Sequence, residues 1–311
     1  MIRGINQLSH TKYSHKDIRE IIMDINELAI KLKEQKYVYD DELLTTLFVA
    51  LELGRPLLIE GAAGVGKTEV AKVMAAALGR ELVRLQCHEG LDESKALYEW
   101  NYQKQLLSIQ VQIGAEGTDK EELTKSLFGE EYLLERPLLK SIRSEKPVVL
   151  LIDEIDKADE EFEAFLLELL SEFQVTIPEL GTVRAKTHPF VVLTSNNTRP
   201  LSEALKRRCA FLYIDYPTIE KEVSIITARL PGVEASLALE AAEAIKSLRD
   251  SSLVVKKPSV AETLDWISAL KFLGVSELDE DSARRTLGFV LKNNDDIEGV
   301  LNDGDFIKDL Q

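Results

Sequence analysis

Gly61-Ala62-Ala63-Gly64-Val65-Gly66-Lys67-Thr68 has the spacing of a phosphate-binding loop, a glycine-rich turn that ends in a lysine and a hydroxyl residue. The apolar run Pro56-Leu57-Leu58-Ile59-Glu60 enters it as a buried strand, and the stretch from Glu69 to Leu78 leaves it as a helix. Glycines let main-chain N–H groups wrap an anion where a side chain would clash, and the helix start adds its partial positive charge. Lys67 is then placed for the β- and γ-phosphates and the Thr68 hydroxyl for Mg²⁺, so ATP and Mg²⁺ are the expected cofactors. Gly61, Ala62, Ala63, Gly64, Val65, Gly66, Lys67, Thr68 and Glu69 are the expected nucleotide contacts. A glycine turn that merely precedes a helix would not need a match at every position of the pattern.

With 311 residues the chain is long enough for two domains and a sizeable core, and 45% hydrophobic with 30% charged residues is ordinary globular composition. Lys and Arg number 38 against 54 Asp and Glu, a formal charge of −16. Such a surface repels nucleic acid and anionic membrane on average, which counts against a helicase. Apolar runs fall short of a spanning helix and Met1-Ile2-Arg3-Gly4-Ile5-Asn6 starts no signal-peptide stretch, so a cytoplasmic protein with no membrane partner is expected. Cys87 and Cys209 form no CxxC pair and read as core thiols. Cys87-His88-Glu89 looks like a metal cluster, yet adjacent strand residues point to opposite faces.

Ile18, Ile21, Ile22, Ile25, Leu28 and Leu32 recur at three- and four-residue steps, which predicts an amphipathic helix. Its stripe either docks outward, as an extension or subunit contact, or packs on the protein's own core. A second helix is predicted from Asp40 to Leu53, and Gly54-Arg55-Pro56 releases the chain into the first strand. Apolar runs at 56–60, 81–87, 148–153, 190–196 and 211–216, the first four separated by helical stretches, predict a parallel sheet covered on both faces. Residues 97–113 fit either a helix or a hairpin, and their aromatics either a working loop or a hydrophobic patch. A helix is predicted from near Asp159, a hairpin over 175–186, and another helix from the Ser259-Val260-Ala261-Glu262 capping box towards Leu273. The expected division is a helical extension over 1–37, an α/β domain over 38–217 and a helical lid over 218–311.

Val148-Val149-Leu150-Leu151-Ile152-Asp153-Glu154 is a buried strand ending in two carboxylates, the Walker B arrangement. Asp153 is placed to hold Mg²⁺ with Thr68, while Glu154 is placed to orient or deprotonate the attacking water. Leu193-Thr194-Ser195-Asn196-Asn197 brings an amide to the same sheet edge, where Asn196 either fixes the water or simply forms a turn. Lys206-Arg207-Arg208 closes a short helix, either to neutralise a γ-phosphate or to complement the helix terminus.

This ordered set resembles the AAA+ ATPases. The stretches Leu97-Tyr98-Glu99-Trp100-Asn101-Tyr102, Arg136-Pro137-Leu138-Leu139-Lys140 and Leu205-Lys206-Arg207-Arg208-Cys209 look like the MoxR family, especially its CoxD-like branch, over roughly residues 38–275. The resemblance implies a P-loop core with a five-stranded parallel sheet, a small all-α lid, and a homo-oligomeric, usually hexameric ring with ATP at each subunit boundary. It further implies Glu154, Asn196 and Arg208 as catalytic residues, Asn196 as sensor 1 and Arg208 as the finger acting on the neighbour's nucleotide, with Arg207 in reserve. Elements near 100–113 and 175–186 would face the channel. The implied activity is an ATP-driven chaperone, with a von Willebrand factor A domain adaptor and a metalloenzyme client such as carbon monoxide dehydrogenase. Where many relatives carry a sensor 2 Pro-Arg pair this chain has Pro258-Ser259, and Lys256 or Lys257 is the nearest substitute. Two other readings share the motifs: a nucleic-acid motor and a nucleotide switch that does not hydrolyse.

Overall fold

The computed structural model describes residues 23–113, 127–178 and 180–303. Helices α1 (Ile25–Glu34) and α2 (Asp41–Glu52) come first, capped by Asp24 and Asp40, whose carboxylates accept from the Asn26 and Leu43 amides. Ile18, Ile21 and Ile22 of the predicted stripe lie outside the described residues. Leu28 and Leu32 are buried with Leu57, Ile59 and Met74, so this part of the helix packs on the protein's own core.

The chain continues through β1 (Leu57–Glu60), α3 (Lys67–Leu78), β2 (Leu82–Gln86), α4 (Glu93–Leu97), β3 (Tyr98–Trp100), α5 (Tyr102–Ile113) and β4 (Leu133–Glu135). It then forms α6 (Pro137–Arg143), β5 (Val149–Asp153), α7 (Glu160–Glu172), β6 (Gln174–Ile177), β7 (Gly181–Arg184), β8 (Phe190–Ser195), α8 (Glu203–Arg208) and β9 (Ala210–Tyr213). Five strands make one sheet in the order β2-β5-β8-β1-β9. Every pairing in it is parallel, as the alternating strands and helices predicted. Leu57 and Ile59 face the core that holds α1, α2 and α3, while Leu58 between them faces the opposite core. Burial on both faces is why these strands read as unbroken apolar runs. The register pairs Glu60 with Ser195, Ile152 with Leu193 and Gln86 with Asp153, which aligns the carboxyl ends of four strands along one edge.

Between β2 and β5 the structure settles the helix-or-hairpin alternative. β3 pairs antiparallel with β4, and α5 follows β3 as a helix. Its inner side is held by Gln105, which donates to the Leu127 carbonyl at 2.6 Å, and by Ser108, which accepts from the Tyr132 hydroxyl at 2.9 Å. Trp100 meets Tyr98 and Phe128 edge to face at 5.8 and 5.4 Å. β6 and β7 form the predicted hairpin, and α7 begins where a helix was predicted, with Asp159 as its N-cap.

The remaining helices, α9 (Ile219–Arg229), α10 (Ala235–Asp250), α11 (Val260–Phe272), α12 (Glu280–Thr286) and α13 (Asn294–Asp303), enclose a separate core around Ile245, Trp266 and Ile267. Inside it Arg249 donates to both oxygens of Glu222 at 2.5 and 2.9 Å and to the Pro258 carbonyl at 2.9 Å, and it stacks over Tyr216. Both side chains are almost fully buried, so neither charge tolerates loss of its partner. Glu222→Ala is therefore expected to cost about 3–5 kcal/mol in urea denaturation followed by Trp266 fluorescence in a Trp100→Phe background; a loss below about 1 kcal/mol would refute a structural pair.

Candidate active site

The loop between β1 and α3 leaves no room for side chains at two glycines. At Gly61 (φ 157°) a Cβ would come within 2.0 Å of the Ile214 carbonyl oxygen. At Gly64 (φ 79°) it would come within 2.2 Å of the Ser259 Cβ. The lid therefore rests directly on the loop, and the Val260 amide donates to the Gly64 carbonyl at 3.2 Å. Ser259 caps α11, with the Glu262 amide donating to its hydroxyl and its own amide donating to the Glu262 carboxylate.

Lys67 is buried and donates to the carbonyls of Gly61 and Ala62 at 2.8 and 2.6 Å. Burial lowers its pKa, and the carboxylates of Asp156, Asp153 and Glu154 work against that shift. Gly61 and Ala62 are thus engaged from behind by Lys67, while residues from Ala63 to Glu69 line the cleft itself.

Asp153 is 2% exposed at the end of β5. Its Oδ1 accepts from the Thr68 hydroxyl at 2.9 Å and the Thr194 hydroxyl at 2.6 Å, and its Oδ2 from Arg84 Nη2 at 2.6 Å. Glu154 turns out of the strand in the left-handed region (φ 58°), so its carboxylate leaves the direction taken by Asp153. That carboxylate accepts from Gln86 at 2.8 Å and from the Asn196 amide at 3.3 Å, and it pairs with Lys157 at 2.6 Å. Asn196 is itself positioned through its main-chain N–H, which donates to Asp156. Asp156 is desolvated, yet hydrogen bonds from Thr198 and Asn196 keep its pKa below the usual carboxylate value.

A cavity of 530 Å³ joins these groups to the lid. Its lining combines the polar groups of Ala63 to Thr68, Asp153, Glu154 and Asn196 with the apolar side chains of Val38, Ile214, Ile225 and Leu264 and with Tyr37. Lys36, Lys72, Lys221 and Arg229 add cations to the wall. Arg229 pairs with Glu69 at 2.7 Å and Lys221 with Asp40 at 2.6 Å, each pair joining α9 to the sheet-bearing part. Sequence reasoning missed this wall; its signal was Lys221, Ile225 and Arg229 at four-residue steps on one helical face.

Neither Arg207 nor Arg208 lines this cavity. Both are exposed, with Arg208 donating to the Ser171 hydroxyl at 3.0 Å and to the Ala204 carbonyl at 3.1 Å. Lys256 and Lys257 are also absent from the cavity wall, and the Lys257 amine is engaged with the Ser251 carbonyl. Burial pushes the thiols of Cys87 and Cys209 up to about 12, which makes them inert at neutral pH. Among the described residues no group of three or more His, Cys, Asp or Glu side chains is arranged to chelate a metal, and no helix is long and apolar enough to cross a membrane.

Residues 56–209 match the family described as AAA domain (dynein-related subfamily). The fold is the AAA+ P-loop fold. A mutant of Thermotoga maritima RuvB superposes with a TM-score of 0.50 at 17% identity, over 85% of this chain and 74% of that one, a likeness of fold. The chain is 27% identical over 230 residues to the uncharacterized protein YojN of Bacillus subtilis, covering 70% of this chain and 67% of that protein. It is 26% identical over 191 residues to an uncharacterized protein of Staphylococcus haemolyticus, covering 60% of this chain and 65% of that protein's length. The contact between Gly64 and Ser259 is a direct steric constraint. Gly64→Ala should combine left-handed strain with the Ser259 clash and weaken ATP binding about tenfold by titration calorimetry. Gly79→Ala, at a left-handed position with open space around it, should leave ATP affinity unchanged.

Proposed function

We propose that the protein is a Mg²⁺-dependent ATPase of the MoxR type, CoxD-like in its local wording, that works as a cytoplasmic homo-oligomeric ring to remodel a client protein. The observation that carries hydrolysis is the pair of carboxylates at the end of β5, one hydrogen-bonded to Thr68 and the other to Asn196. Thr68 Oγ1 and Asp153 Oδ1 lie 2.9 Å apart, and such hard oxygen donors fit Mg²⁺ when phosphate oxygens complete its shell. Bound there, Mg²⁺ neutralises charge on the β- and γ-phosphates. Lys67 adds its ammonium to the same oxygens. Glu154 accepts the proton of the attacking water at a carboxylate oxygen, and Asn196 orients that carboxylate.

Arg208 is the finger for a neighbouring subunit's nucleotide; its exposure away from its own cleft supports action in trans. The resemblance at residues 97–102 and 136–140 supports the MoxR assignment, and from it follow a hexameric ring, a von Willebrand factor A domain adaptor and a metalloenzyme client of the carbon monoxide dehydrogenase kind. The charge of −16 favours this over a nucleic-acid motor, although the fold is shared with RuvB.

Glu154→Gln should bind ATP as the wild type does while turnover falls by about 10²–10⁴-fold in a phosphate-release assay; near-normal turnover would remove Glu154 from the base role. Arg208→Ala and Lys67→Ala should each be inactive alone, yet regain hydrolysis when mixed, since the second subunit lends the first its arginine. A mixture as inactive as its components would refute the finger.

A further inference from the structure

Both carboxylates at the end of β5 are joined to β2, a strand none of whose residues lines the cavity. Arg84 and Gln86 lie two residues apart on it and so share a face, opposite the one from which Val83 and Leu85 enter the core. Arg84 Nε and Nη2 both donate to Asp153 Oδ2, at 3.1 and 2.6 Å, and Nη2 also donates to Gln86 Oε1. Gln86 Nε2 in turn donates to Glu154 Oε2 at 2.8 Å. The register that sets Gln86 against Asp153 brings these groups together, and the contacts run Asp153, Arg84, Gln86, Glu154.

A guanidinium only donates and a carboxylate only accepts, so an amide between them satisfies both in a single sense: oxygen towards Arg84, nitrogen towards Glu154. Turned over, it would set a carbonyl oxygen against a carboxylate and an amino group against a cation. Thr194 fixes Glu154 through its main-chain N–H, but the carboxylate lies several rotatable bonds further on. Of its other partners, Lys157 is a flexible point charge and the Asn196 amide is 3.3 Å away. We infer that Arg84 is a positioning residue for hydrolysis: it clamps Asp153 directly and, by fixing the sense of the Gln86 amide, holds the Glu154 carboxylate in place relative to it. Arg84 is 49% exposed, so its charge is screened and its contribution lies in the fork geometry, which a lysine ammonium lacks. The inference rests on the ATPase reading above, since the separation of metal ligand and base matters only where water attacks a phosphate.

The test combines steady-state phosphate release with calorimetric titration of ATP in the absence of Mg²⁺, on the full chain and on Gln86→Leu, Arg84→Met, Arg84→Lys and the Gln86→Leu/Arg84→Met double variant. Displacing the base without removing it should lower kcat about tenfold in Gln86→Leu and at least as much in Arg84→Met, while metal-free ATP affinity stays within about twofold of wild type. Arg84→Lys, which keeps the charge without the fork, should keep less than about half of the wild-type kcat. Because both side chains act on Glu154 by one path, the double variant should be no more than about twofold slower than Arg84→Met. Losses that multiply would make the two independent and overturn the inference, as would an unchanged kcat in Gln86→Leu or full activity in Arg84→Lys. An Arg84→Met protein with unchanged kcat and an ATP affinity reduced as much as its kcat/KM would mark a purely structural pair and equally overturn it. If Arg84→Met does not fold, Gln86→Leu, which leaves the bonds between Arg84 and Asp153 in place, and Arg84→Lys decide the matter by the same kcat and affinity criteria. A wild type that binds ATP but releases no phosphate would defeat the ATPase reading itself and the inference with it.

Discussion

A carboxylate that is 2% exposed needs partners for its oxygens, and Asp153 is met from three elements at once. Thr68 reaches it from α3, Thr194 from β8 and Arg84 from β2. These bonds fix the loop, the end of β5 and the neighbouring strand ends relative to one another. Glu154 inherits its place from the same arrangement, because its amide donates to the Thr194 hydroxyl that also holds Asp153. Loss of this one charge would leave Arg84 and two hydroxyls without their common acceptor, so the geometry of the whole edge depends on it.

What could be read from the sequence follows from how local each feature is. The loop at 61–68 and the buried strands are short-range patterns: glycine spacing, a following helix, and apolar runs that a doubly covered sheet demands. The Ser259 capping box is equally local and forms where its spacing placed it. Residues 97–113 were ambiguous because Ile109, Val111 and Ile113 alternate with Ser108, Gln110 and Gln112 at a period of two, while a helix at this position is decided by distant partners. Tyr132 and Leu127 supply those partners from beyond the next segment, and β4, which pairs with β3, carried no signal of its own. The cleft wall is the extreme case: Tyr37 and Arg229, nearly two hundred residues apart in sequence, line one cavity.

The lid's grip on the loop explains what Ser259 does in place of a longer side chain. Its Cβ lies where a Cβ on Gly64 would be, so the start of α11 approaches the loop backbone more closely than a bulky pair of residues would permit. Arg249 holds the Pro258 carbonyl immediately before it and stacks on Tyr216 in the linker, with Glu222 of α9 neutralising the charge. The same helix carries Ile225 and Arg229 into the cleft, so the buried pair ties the start of α11 to one wall of the cleft.

The geometry also separates the cleft from the cations at the end of α8. Lys67, Asp153, Glu154 and Asn196 converge within one cleft, but the cations at the end of α8 do not turn towards it. They are nevertheless held in place: Glu163 of α7 is 1% exposed, pairs with Arg199 and accepts from the Ser202 amide that begins α8. A buried carboxylate is costly unless its oxygens are met, and here Arg199 and the Ser202 amide meet them at the start of a six-residue helix.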